Sequence, residues 1–340
     1  MIEPKFQTGT IVNNNEKAQL LVKDNPWLVQ VDLSVLKNTK RSWDYSNCYS
    51  QTGVSLSYIN FGNPAKLGKA VSFSVYTEPY LVLSPNVKFT IRGGAGFAYL
   101  NKVYDVKYDS NNLFYSKPLS FILSVGTSLK YRIAPATHLT FAAQFNHISN
   151  GGTRWPNWGM NFPMVGMGVT YAFQHDDLKK RERIEFDDKS WKIITHVFGG
   201  RNTEDAKGKF PEAKRLVTGI NVGLIKPLGK ISSLGVGGEA YYDGIAHLQE
   251  ERTGKDYRAG IASVSLQHYI TFGKLLLGQQ LAYYVTKVNP DVARKLYQRY
   301  FIEYKVKGPL YLGVSLKAHG NVSDYITLST AYIFNTRAHK

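Results

Sequence analysis

Large apolar residues fall at every second position in one stretch of this chain after another. Val71, Phe73 and Val75 alternate with Ser72 and Ser74, and Phe121, Leu123, Val125, Leu129 and Tyr131 alternate with Ser120, Ser124, Gly126, Ser128 and Lys130. Period two is the spacing of a β-strand, whose successive side chains point to opposite faces. The chemistry of the two faces is the second constraint. One face is large, apolar and continuous, and the other is mostly Ser, Gly and Thr. A soluble sandwich buries its large face in a common core and covers the outer one with Lys and Glu. Strands greasy toward lipid and small or polar toward an interior are those of a membrane barrel.

Composition closes off other solutions. No window approaches 18 uninterrupted apolar residues, which excludes a transmembrane helix, although 43% of the residues are hydrophobic and Tyr and Phe number 23 and 17. The net charge of +17 suits an anionic membrane surface or a phosphorylated lipid. Nucleic acid is not expected as a partner, because no recognition motif is present and the basic residues lie mostly in loops. A single cysteine, Cys48, excludes an internal disulfide and any multi-cysteine metal site. The opening MIEPKFQTGTIV lacks a basic start followed by an apolar core, so the expectation is a mature chain whose export signal has been removed.

The alternation divides the chain into two sets of eight candidate strands. The first set lies near 6–12, 27–37, 53–60, 70–76, 87–99 and 119–131, followed by the two arms of HLTFAAQFNHISNGGTRWPNWGMNFPMVGMGVTYAF at 138–173. The second lies near 191–200, 215–226, 232–245, 258–271, 274–286, 295–306, 309–318 and 325–334. Tight turns such as 84–86 and 134–137 alternate with long polar loops such as 101–114 and 150–161, as short periplasmic turns alternate with long external loops in outer-membrane barrels. The stretch 38–50 departs from this rule, being long where a periplasmic turn is due. Between the sets, QHDDLKKRERIEFDDKS at 174–190 reads as a charged linker in periplasmic water. The halves look like degenerate copies, with LTFAAQFNHISNGG…GVTYAF matched by LYLGVSLKAHGNVSD…STAYIF. The expected fold is thus all-β, an antiparallel outer-membrane barrel protein with domains at 1–173 and 191–340. Both two tandem eight-stranded barrels and one sixteen-stranded pore fit the pattern, and the charged linker favours two.

One place breaks the segregation of polar from apolar. Leu139, Phe141, Ala143 and Phe145 form the apolar face of the seventh strand, and His147 and Ser149 continue it, beside a glycine-rich loop. A base and a nucleophile placed side by side next to hydrocarbon point to chemistry on a lipid ester.

The run His147-Ile148-Ser149-Asn150-Gly151-Gly152, followed by Pro156-Asn157, resembles the outer-membrane lipid A 3-O-deacylases, the PagL type of acyloxyacyl ester hydrolase, over roughly residues 5–173. Their characteristic stretch is His-x-Ser-Asn-x-Gly on the seventh strand of an eight-stranded barrel. The resemblance implies that Ser149 is the nucleophile, that His147 is the base, and that Asn150 and the Gly152 N–H form the oxyanion hole. It also implies lipid A or lipopolysaccharide as substrate, outer-membrane lipids as surroundings, and no metal or cofactor. The family's third catalytic member is a Glu on the eighth strand, and at that spacing this chain has Asn161. An amide holds a histidine tautomer but does not stabilise an imidazolium as a carboxylate does. Asp105 and Asp109, on the preceding external loop, are the substitute carboxylates to consider.

Other residues have plainer readings. Arg154, Lys102 and Lys107 are candidates for lipid A phosphates, against the alternative that external loops are basic for many reasons. Glu78 is expected on the inward face, paired with Arg92 or Lys88. In the second half His319 should point inward with Tyr311, Ser315 and Lys317, and with no Ser two residues on, this half is expected to lack a catalytic site. The competing function is a porin-like or structural barrel that keeps a hydrolase-like motif.

Overall fold

The structure is a computed structural model, and it describes residues 1–12, 20–174, 178, 181–188, 190–206, 208–287, 289–290, 292, 295–320 and 322–335. Part of the expected linker, at 175–177, 179–180 and 189, lies outside the described residues. The chain forms two closed antiparallel barrels of eight strands each. Contacts divide it into two compact units, one of residues 1–150 and 156–184, the other of residues 151–155 and 185–340.

The first barrel comprises β1 (Ile2–Gly9), β2 (Trp27–Lys37), β3 (Ser50–Asn60), β4 (Lys69–Leu83), β5 (Val87–Leu100), β6 (Leu119–Ala134), β7 (Thr137–Ser149) and β8 (Met160–Tyr171). Each strand pairs with its sequence neighbours, and β1 closes the barrel on β8 with Phe6 opposite Met167. Strand β1 starts four residues earlier than the alternation indicates. Its inward face is Glu3, Lys5 and Gln7, all buried, and buried charges also stand on other strands at Asp32, Glu78, Arg92 and Lys130.

Those charges fill the interior. Asp32 accepts from Lys5 Nζ at 2.7 Å, from Arg92 at 2.5 and 3.1 Å and from Ser55 Oγ at 2.5 Å. Glu78 lies 3.1 Å from Lys130 Nζ and 3.6 Å from Arg92, and Lys130 reaches Glu3 at 2.8 Å. Glu78 is therefore inward and near Arg92, one of the two partners expected, and its other partner is Lys130 of β6. Charges taken out of water persist only when so paired. Outside, Val71, Phe73 and Val75 stand about half exposed while Ser72 is buried, as a wall facing hydrocarbon requires.

The long connection at 38–50 holds a short helix, α1 (Lys40–Ser46), capped by Thr39 and ended by Asn47 in the left-handed region. Trp43 Nε1 donates to Glu182 O at 2.8 Å, Asn47 exchanges two hydrogen bonds with Ile184, and Arg181 Nε donates to Tyr49 OH at 2.9 Å. Residues 181–184, read from sequence as linker in water, dock on this helix. Cys48 lies beside it, its thiol pointed at Ser46 Oγ and pushed up by burial.

The second barrel comprises β9 (Lys192–Glu204), β10 (Ala213–Pro227), β11 (Ser232–Asp243), β12 (Gly260–Phe272), β13 (Leu275–Tyr284), β14 (Leu296–Lys307), β15 (Leu310–His319) and β16 (Val322–Asn335), closed by β16 on β9. The long loop after β11 carries α2 (Ile245–Thr253). Its interior is filled as well. Arg299 makes a two-pronged contact with Glu239 at 2.7 and 2.8 Å, His196 joins Glu303 and the Tyr269 hydroxyl, and Asn221 bonds both Gln267 and Gln280. Eight-stranded barrels are just wide enough for such filling, and a single sixteen-stranded pore is not what this sequence forms.

Candidate active site

Strands β7 and β8 run in unbroken register from Thr137 opposite Tyr171 to Ile148 opposite Met160, and that register sets His147 directly across from Asn161. Pro163 does not disturb it, lying opposite Phe145 just beyond the end of the β1 pairing at Gly9 and Met164. On the other side of Asn161, Val12 N–H donates to its carbonyl at 2.8 Å. The Asn161 backbone is thus held on both flanks.

The two side chains meet, with His147 Nδ1 2.7 Å from Asn161 Oδ1. An amide oxygen only accepts, so Nδ1 carries the hydrogen and Nε2 keeps its lone pair. That tautomer is the one a general base needs. Against the ring lies Gly159, at φ +71°, where an added Cβ would stand 2.5 Å from His147 Cε1 and 3.1 Å from Nε2. Only glycine adopts that conformation at no steric cost while letting the imidazole approach the backbone. Gly159 is tied down by its N–H to Phe114 O, and Trp158 N–H donates to Leu113 O.

Ser149 ends β7 on the same face, two residues beyond His147, opposite Phe121 of β6. Two positions along a strand span about 6.6 Å, within reach of an imidazole and a hydroxyl that lean toward each other. Along this face Phe145 is 45% exposed whereas Ser149 is 7% exposed. The apolar wall therefore ends in a covered polar recess.

Asn150 is buried, its N–H donating to Asn157 Oδ1 at 2.8 Å and its Nδ2 to Ser116 Oγ at 3.1 Å. The two bonds fix both the start of the loop and the plane of the Asn150 amide. Gly151 and Gly152 follow at φ +68° and +73°, a consecutive left-handed pair that needs glycine. Residues Asn157, Gly159 and Ser116 carry no role in the sequence reading. Asn157 had a signal in the Pro-Asn that follows the motif, whereas Gly159 and Ser116 belong to the site only through the packing of two loops.

The substitute carboxylates are engaged elsewhere. Asp105 accepts from the Lys107 and Tyr108 N–H groups and shapes its own loop, and Asp109 is buried with Lys66 Nζ at 3.5 Å. Asn161 is the partner of His147. Lys102, Lys107 and Arg154 are exposed on the long loops, with Lys107 over the Tyr108 ring.

Below the recess the outer wall has a depression of about 540 Å³, lined by Ile91, Val125, Thr127, Ala143, Phe145 and Val165. Val125 and Val165 are each 60% exposed, which puts the groove on the lipid-facing side, on the face that His147 continues.

An apolar groove thus runs along the wall toward a histidine and a serine at the rim of a closed barrel. Residues 29–170 match the family model of the lipid A 3-O-deacylases (PagL), and residues 191–336 match that of the acyloxyacyl hydrolase C-terminal domain. The chain belongs to the PagL family of outer-membrane lipid A deacylases, with the second barrel as its C-terminal domain. The crystal structure of the outer membrane enzyme PagL is similar over 49% of this chain and 97% of its own, at 18% identity and a TM-score of 0.36. A triple mutant of Rhodopseudomonas blastica porin aligns over 98% of this chain and 99% of its own, at 10% identity and a TM-score of 0.22. The curated proteins give no match.

Proposed function

We propose that the first barrel hydrolyses an ester-linked acyl chain of lipid A by a Ser149–His147 mechanism. The observation that carries the reading is the 2.7 Å bond between His147 Nδ1 and Asn161 Oδ1, which leaves the basic nitrogen of a rim histidine on the face it shares with Ser149. In the first step Ser149 Oγ attacks the ester carbonyl and His147 Nε2 takes its proton. The tetrahedral oxyanion is met by the Asn150 amide and the Gly152 N–H. Collapse breaks the bond to the sugar oxygen, which leaves with the proton from His147, and the acyl group stays on Ser149. Water, deprotonated by His147, then releases the fatty acid and restores the serine.

The groove lined by Val125, Ala143 and Val165 supports the choice of substrate. An acyl chain lying along the barrel wall keeps its methylenes in hydrocarbon while its ester reaches the polar recess at the rim. In this reading Lys102, Lys107 and Arg154, on the long loops, meet the phosphates of such a lipid. Asn161 takes the position of the family's acid and acts as a positioning residue. Residence in a bacterial outer membrane belongs to the same reading.

Mass spectrometry of lipid A after incubation with the detergent-purified protein tests it. Wild type should remove one acyl mass, and Ser149→Ala should fold and remove none, a loss of about 10³-fold or more. Equal deacylation by Ser149→Ala would refute the assignment.

A further inference from the structure

The second barrel holds a cavity of about 540 Å³ at its long-loop end, among the last residues of its strands and the first turn of α2. That volume lies in the range of small-molecule sites, about 300–1,000 Å³. Its floor is closed by buried Tyr241, Tyr284, Tyr297 and Tyr325, with the Arg299–Glu239 pair beside them.

The walls are polar and tightly ordered. His319 is gripped at both nitrogens, Nδ1 lying 2.8 Å from Asp324 Oδ2 and Nε2 3.1 Å from Tyr284 OH. Lys317 Nζ is 2.6 Å from Asp324 and sits 4.9 Å from the Tyr297 ring and 5.5 Å from that of Tyr325. Asp243 accepts from Asn202 Nδ2 at 2.8 Å and from the Ile245 N–H at 3.1 Å, and Glu204 accepts from Gln249 Nε2 at 2.9 Å. These groups come from β9, β11, α2, β13, β15 and β16. A register shift between Lys317 and Ala318 on β15 re-aims the end of that strand toward Asp324.

The charge pattern selects the ligand. Both lysines of the wall already have carboxylate partners, Lys317 with Asp324 and Lys287 with Asp256 at 3.6 Å, and Glu204, Asp243 and Asp324 would repel a bare anion. A bare cation meets Lys317 Nζ at the base of the cavity. What fits is a neutral ligand whose hydroxyls both donate and accept, with carboxylates that have further lone pairs to offer and tyrosine faces for its C–H surface.

We infer that the second barrel binds a neutral saccharide in this cavity, held by Asp243, His319 and Asp324 against the tyrosine floor. The site goes beyond the esterase reading and stands without it. The sugar is either the headgroup of a membrane glycolipid or a free oligosaccharide, since both present the same ring chemistry.

Saturation-transfer NMR on the full chain tests the site, in an amine-oxide detergent because maltoside and glucoside detergents carry the ligand chemistry themselves. The probes are chitotriose and maltotriose, with inorganic phosphate and delipidated lipopolysaccharide oligosaccharide as competitors. Transfer to the ring protons of at least one trisaccharide, undiminished by phosphate, is expected. Affinity should fall about tenfold or more in both His319→Ala and Asp243→Asn, each shown to be folded by circular dichroism, with lipid A deacylation unchanged. Displacement by the lipopolysaccharide oligosaccharide would assign the sugar to a glycolipid headgroup, and its absence to a free oligosaccharide. No transfer from either trisaccharide, displacement by phosphate, or wild-type affinity in both folded variants would overturn the proposal.

Discussion

At the scale of single residues, Asn161 carries the question that separates this chain from its family's pattern. Its oxygen holds the His147 ring and fixes which nitrogen is basic, and in the proposed mechanism it would contribute no charge to the imidazolium. Two effects that a carboxylate combines are separate here. Asn161→Ala removes the orientation and should lower kcat about 10²-fold, near the lower end of what a positioned base contributes, with KM little changed. Asn161→Asp restores an acceptor with a charge and should equal or exceed wild-type turnover by up to about tenfold. Steady-state kinetics on a soluble ester would show the split, and an unchanged kcat in Asn161→Ala would remove Asn161 from the mechanism.

At the scale of strands and loops, the seventh strand of the barrel was legible in sequence almost residue by residue. Phe141, Ala143 and Phe145 against Thr140, Ala142 and Gln144 gave its faces, and the odd pair His147 and Ser149 marked the end where the candidate site lies. The loops were not legible in the same way. Ser116 and Phe114 reach the site because the loop after β5 folds against the segment before β8, and no local pattern encodes a contact between two irregular segments. Helix α1 was missed because seven residues are too few to show a helical period. The charged residues inside β1 hid its first four positions, since their partners stand on other strands, Asp32 on the neighbouring β2 and Lys130 on β6 across the interior. The wall groove depends on small side chains, Thr127 and Ala143, between larger ones. Filling it with Ala143→Trp should lower kcat/KM for a long-chain ester about tenfold or more, while hydrolysis of a short-chain ester that does not occupy the groove stays near wild type. Equal losses on both substrates would show that the groove does not hold the chain.

At the scale of the whole molecule, the sequence left open one wide barrel or two narrow ones, because period-two alternation is the same in both. Interior chemistry decides it. Inward residues such as Arg92, Lys130, Arg299 and His196 are buried and paired, which a water-filled pore does not allow. The protein in planar bilayers should therefore show no single-channel conductance, and steady open channels would contradict two filled barrels. The central claim is nearer the rim, that Ser149 is a nucleophile made reactive by His147. Its most direct test is covalent capture. The folded protein is treated with a long-chain alkyl sulfonyl fluoride, digested and mapped by mass spectrometry, with His147→Ala in parallel. One adduct on the peptide containing Ser149, formed at least about 10²-fold more slowly in His147→Ala, is the predicted result. No adduct, or one on another residue with Ser149 unmodified, would contradict the account.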